Sequence, residues 1–128
     1  RLNEQAEAVV KSKEPADAKL RALIALHVRI VLEELPGSTA HTDFRLLPKE
    51  QLRKIVKKRD RYEKAYRKVV EDGVEEGVFE IGDAKTAVWA ILGALNWIVQ
   101  WYSPKGDMTA EKIAENFGDL FVGGLNLQ

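Results

Sequence analysis

Between Thr86 and Pro104 the chain reads TAVWAILGALNWIVQWYSP, without one charged residue, in a sequence where 31% of residues are charged. All three tryptophans, Trp89, Trp97 and Trp101, fall inside it. A helix that is apolar on nearly every side must be buried on nearly every side. A chain of 128 residues rarely achieves that alone, so the stretch points to a partner surface. Each tryptophan can bury ~150–250 Å², and at ~25 cal/mol/Å² three of them approach ~15 kcal/mol as an upper bound. That is of the order of a whole domain's stability, ~5–15 kcal/mol, so leaving the helix half exposed is a solubility hazard. The length of the stretch is near the minimum for a membrane span, ~17–25 residues. Asn96 and Gln100 sit centrally, however, and no basic cluster flanks either end. A buried interface helix is therefore the favoured reading.

The rest of the pattern is also helical, since apolar residues rarely alternate as a strand requires. Leu2 to about Lys13 forms a modestly amphipathic first helix. Pro15 suits the first turn of the next, which runs to about Leu35 and stops at Pro36-Gly37. Residues 37–47 are the least regular. Pro48 opens a long helix from Lys49 to about Glu76, ended by Gly77. Asp83 caps the uncharged helix from Ala84 to about Tyr102, and Thr109 caps a last one to about Gly124. The expected architecture is one all-α domain over 1–128, a bundle of about five to six helices.

Several residues break the apolar faces when placed at ~100° per step. His27 falls in the middle of the arc Leu20, Leu23, Ile24, Ile30 and Val31, and Glu34 turns toward the same arc. Arg59 falls at the centre of the stripe Leu52, Ile55, Val56, Tyr62 and Tyr66. A buried guanidinium needs an anionic partner, because an unpaired buried charge costs several kcal/mol. The plain reading is an internal pair of the Arg59–Glu34 kind and a satisfied core histidine. The functional reading is a cavity in which His27, Arg59, Tyr62 and Tyr66 hold the polar end of a ligand, with Ile30, Phe44, Trp97 and Trp101 as further candidate lining.

The uncharged helix divides into two sides. Ala87, Ala90, Ile91, Ala94, Trp97, Ile98 and Trp101 make a purely apolar one, expected to face the chain's own core or pocket. Trp89, Gly93, Asn96 and Gln100 make a stripe of small and neutral-polar groups, expected to meet a second subunit. The last helix presents Ile113, Phe117, Leu120, Phe121 and Gly124 on one face, the candidate continuation of that interface.

Charge is unevenly placed although the formal net charge is zero. Lys49 to Lys68 holds ten basic residues against three acids, and the bias reverses from Glu71 onward. A basic face could contact phosphates; a solvated face balanced by acids elsewhere is the preferred reading. The absence of cysteine excludes disulfides and thiolate metal sites and is compatible with the cytoplasm. Enzyme chemistry is poorly supported: there is no phosphate-cradling glycine loop and no metal-ligand spacing. Ser38, Thr39, His41, Thr42 and Asp43, crowded into one loop, are too weak a signal for a triad. No cofactor is expected.

The helix end GVEEGVF, the helix and turn GALNW…WYSPKG, and the terminus from Ile113 through Phe117, Asp119-Leu120-Phe121 to Gly124-Leu125 resemble the regulatory domain of TetR-family transcriptional regulators. The likeness is closest to regulators of fatty-acid and steroid catabolism, is good from about Arg59 to Leu125, and extends by helix order over the whole chain. It implies an orthogonal bundle of the TetR C-terminal type whose last two helices build a four-helix bundle across a homodimer. It also implies a pocket for a hydrophobic effector such as an acyl-CoA, and repression of transcription. Operator DNA would be met only through an N-terminal helix-turn-helix module, expected to be missing ahead of Arg1. The competing reading is a helical homodimerisation or scaffolding module with a filled core and no small-molecule role.

Overall fold

The computed structural model describes residues 2–34, 48–103 and 105–126, the side chains of Glu33 and Glu34 excepted. Among these residues five α-helices follow one another: α1 (Leu2–Lys11), α2 (Ala16–Arg29), α3 (Lys49–Glu75), α4 (Ala84–Trp101) and α5 (Ala110–Leu125). A π-helical turn, Ile30–Glu34, extends α2. The chain is all-α, with an isolated antiparallel bridge between Phe79 and Asn126. The expected Phe44 site and the Ser38–Asp43 loop lie outside the described residues.

The helix starts follow from local chemistry. Asp83 accepts hydrogen bonds from the Thr86 amide and hydroxyl, and Thr109 accepts from the Lys112 amide at 3.1 Å, each satisfying an amide that the first turn leaves open. The Thr86 bonds hold the Asp83 carboxyl below its ordinary value. Pro15 and Pro48 sit one position before the first helical residue rather than inside the first turn. Their carbonyls accept from Lys19 (3.0 Å) and Leu52 (2.9 Å). At the far end of α3, Gly77 adopts φ 80°, the left-handed conformation that closes a helix. The Val78 and Phe79 amides turn back onto the Gly73 carbonyl at 2.8 and 3.0 Å. Phe79 is thereby folded against Gly73, where a Cβ would overlap its ring.

α2 lies at the centre, packed along α5 and against α1, α3 and α4. The core joins Leu20, Leu23 and Ile24 of α2 to Tyr66, Val69 and Val70 of α3, and to Val88, Ile91, Leu95 and Ile98 of α4. Burial in α3 begins only at Tyr62; ahead of it Leu52 and Ile55 are half-buried and Val56 is exposed. Arg59, expected inside that stripe, is exposed. It belongs to the part of α3 that runs out ahead of the buried residues, which begin at Tyr62. The Glu34 side chain of the expected pair lies outside the described residues.

α4 is turned from the expected orientation. Its inward row is Val88, Ile91, Leu95 and Ile98. Ala90, Trp97 and Trp101, expected to face inward, are exposed together with Trp89, Gly93 and Gln100. The tryptophans keep 54% (Trp89), 63% (Trp97) and 45% (Trp101) of their surface exposed. In α5, Ile113 is not on the outer face but in the core, while Leu120 is 64% exposed. Phe117 and Phe121 are half-buried and stack on each other at 6.0 Å, with Trp101 on Phe117 at 6.3 Å.

Candidate functional site

The helical pattern of α2 leaves a polar side chain, His27, in its buried arc, and the bundle builds around it. His27 is 8% exposed. Its Nδ1 lies 2.8 Å from the Tyr62 hydroxyl of α3, and its Nε2 lies 2.8 Å from Oδ1 of Asn96 on α4. The Tyr62 and Tyr66 hydroxyls are 3.3 Å apart, and Tyr66 donates to the Leu23 carbonyl at 2.9 Å. Rings meet as well: His27 and Tyr62 have centroids 5.5 Å apart, and Tyr62 meets Tyr66 edge-on at 5.3 Å.

A proton count orders this network. With the Asn96 oxygen toward the ring, Nε2 of a neutral His27 carries the proton and Nδ1 accepts from Tyr62. The Tyr66 proton is committed to Leu23. No proton remains for the Tyr62–Tyr66 contact, the longest of the four. Burial lowers the His27 pKa, an effect opposed by the Asn96 bond. Burial likewise pushes Tyr62 up to about 12, and Tyr66 well above its ordinary value. The cluster is thus a neutral chain of dipoles without a nucleophile.

Of the expected lining, the structure brings together His27, Tyr62 and Tyr66, with Ile30 buried in the same core. It does not bring in Trp97, Trp101 or Arg59, all exposed. Asn96 is the residue that the sequence placed elsewhere. It lies on the exposed side of α4, yet its side-chain oxygen reaches back to His27. An amide one turn from Leu92 and at the border of the apolar face is the signal that could have found it, because such a group can serve either side. Among the described residues, two open cavities lie apart from this cluster. One of about 580 Å³ lies among α1, α2 and α5, beside Val9, Ala22, Leu26, Arg29 and Glu111. The other, about 420 Å³, lies beside Glu71, Val74 and Ile81. Among the same residues, no helix is long and apolar enough to cross a membrane.

Comparison with known proteins gives this arrangement a family. The family model described as the tetracyclin repressor-like C-terminal domain matches residues 13–125. No curated protein matches the chain by sequence. Among solved structures, a TetR/AcrR transcriptional regulator from Thermobifida fusca is 26% identical with a TM-score of 0.84, over 96% of this chain and 66% of that one. The TetR-family transcriptional regulator PfmR from Thermus thermophilus is 31% identical with a TM-score of 0.81, over 98% of this chain and 69% of that one. AibR, solved in complex with isovaleryl coenzyme A and operator DNA, shares the fold at 20% identity and a TM-score of 0.70, over 91% of this chain and 64% of that one. The chain spans about two thirds of the length of these regulators. It belongs to the tetracyclin repressor-like C-terminal-domain family, the regulatory part of TetR transcriptional regulators.

Proposed function

We propose that this chain is the effector-sensing and dimerisation domain of a TetR-family transcriptional repressor, working in the cytoplasm as a homodimer. The exposed row of α4 carries the proposal. Trp89, Trp97 and Trp101 stand outward with Gly93 and Gln100, beside Leu120 and the half-buried Phe117 and Phe121 of α5. A second copy covering this surface would make a four-helix contact from α4 and α5 of each subunit, with Gly124 at its far end. Asn96 would share in it from the border.

The polar cluster His27–Tyr62–Tyr66, with Ile30 beside it, is the candidate polar end of an effector site, one that a ligand would have to open, since the cluster is buried and the two cavities lie apart from it. A hydrophobic molecule such as an acyl-CoA is the favoured effector, by analogy with the isovaleryl coenzyme A bound to AibR. In the intact regulator its binding would change the placement of two DNA-reading heads, lowering operator affinity by a coupling free energy of ~1–3 kcal/mol. A second reading, a dimerisation module with a filled core, is favoured by one observation: His27 already has both ring nitrogens occupied.

Light scattering on the wild type and Gly93→Glu tests the dimer. A Cβ at Gly93 meets nothing within 4 Å, so the variant folds as a single chain while placing a charge on the proposed contact. The expected outcome is a wild-type dimer and a monomeric variant; a wild-type monomer at micromolar concentration sinks the interface. Thermal-shift screening of acyl-CoAs against neutral lipids tests the effector. Stabilisation by neither class supports the filled-core module.

A further inference from the structure

The molecule is electrically polar along α3. Residues 49–68 hold ten basic and three acidic side chains, whereas residues 69–85 hold six acids and one base. Lys54 and Glu75 are separated by about 30 Å at the helical rise, and the helix dipole adds in the same sense, positive at the Lys49 end. Arg53 is paired with Glu50, Arg61 with Glu7 and Arg67 with Glu63. Lys54, Lys57, Lys58 and Lys64 are exposed and make no ion pair with another described residue. The basic half also flanks the start of the chain: Asn3 of α1 donates to the Lys58 carbonyl at 3.3 Å, and Glu7 takes both bonds of Arg61. The acidic pole lies at the other end, where the Glu80 amide donates to the Leu125 carbonyl.

We propose that the Lys54–Lys57–Lys58–Lys64 row of α3 is a contact surface for the phosphate backbone of duplex DNA. The paired arginines Arg53, Arg61 and Arg67, whose planar forks suit a single carboxylate or phosphate, are already engaged. The lysines are point charges without a fixed recognition geometry. They are spread over about 15 Å of one helix, which matches a charged strand better than a pocket ligand. Contacts of this kind add affinity and orientation without reading sequence. The choice of duplex DNA as the polyanion rests on the regulator reading and on the charge complementarity of an extended, exposed lysine row to a phosphate backbone.

The test is fluorescence anisotropy of a labelled duplex of arbitrary sequence, titrated with the 128-residue chain between about 20 and about 200 mM salt, where each neutralised phosphate contributes about −0.9 to the log–log slope. The wild type is expected to bind weakly and independently of sequence, with a slope of about −3 to −4. Lys54→Glu/Lys57→Glu/Lys58→Glu is expected to weaken binding at least tenfold and to flatten the slope by about 3. Lys85→Glu/Lys105→Glu/Lys112→Glu changes net charge equally away from the row and is expected to retain most of the binding. Circular dichroism of each variant checks that its helices are intact. No binding by the wild type at the lowest salt, an equal loss in both triple variants, or tighter binding to anionic lipid vesicles than to DNA overturns the proposal. None of these readouts depends on dimerisation or effector binding, so the light-scattering and thermal-shift results stand or fall separately.

Discussion

His27 has no charged partner in its network, only two hydroxyls and an amide, and this fixes how the protein responds to acid. Its pKa is lowered in the folded chain, chiefly by burial. The unfolded chain therefore takes up a proton near the ordinary value of 6.5, while the folded chain does not until a lower pH. Stability contributed by the neutral histidine is full above that value and falls as pH drops below it, with a slope approaching ~1.4 kcal/mol per pH unit. Urea unfolding between about pH 8 and about pH 5 should show this decline, and His27→Gln, which cannot titrate, should flatten it. An unchanged slope in the variant would assign the decline to other groups. The position of His27 in its arc was legible from helical spacing alone. Its Asn96 partner was not, because a border amide on a helix wheel does not reveal which neighbour its oxygen will find. Arg59 was misplaced for a related reason: a stripe continues along a helix even where the described neighbours do not bury it.

The elements were legible where chemistry is local. Asp83, Thr109 and Gly77 mark ends through one-residue effects, and the structure uses all three. The facing of α4 was harder to read, since nearly every position in it is apolar and the preference for one side is weak. Which row turns inward is decided by the surfaces of α2 and α3 that meet it, so Val88 and Leu95 displaced Trp97 and Trp101 from the interior. Phe79 was missed because it lies just past a helix end, outside any periodic pattern. Its fit against Gly73 yields a prediction for α3: Gly73→Ala, although favourable for helix propensity, should destabilise the chain by ~1–3 kcal/mol through overpacking. Gly82→Ala, with open space around it, serves as control. Chemical denaturation measures both, and equal midpoints would mean that the ring moves aside without cost.

At the scale of the whole molecule, the chain carries a strong core and an unfinished outside. Leu20, Leu23, Ile24, Tyr66, Val70 and Leu95 are fully buried, yet a face of tryptophan, leucine and phenylalanine remains uncovered. If a second copy covers it, association and folding are linked by mass action, and the melting temperature rises with protein concentration. Differential scanning calorimetry over a hundredfold concentration range should show an upward shift of Tm, with none for Gly93→Glu. A concentration-independent wild type would leave the face to another partner. The overall fold was readable because helix starts, stops and order are local signals that sum. The exposed apolar face was readable only in part, because one chain's pattern does not say which apolar row its own neighbours will claim.

The outward row of α4 also decides what light the protein emits. Tryptophan dominates intrinsic fluorescence, and here all three indoles lie along α4 with 45% or more of their surface exposed, while the largest fully buried aromatic side chain among the described residues is Tyr66. Emission from this chain is therefore a gauge of what lies against α4, water or another polypeptide. Tyrosine reports on the interior, so one spectrum can follow assembly and packing through two different residue types.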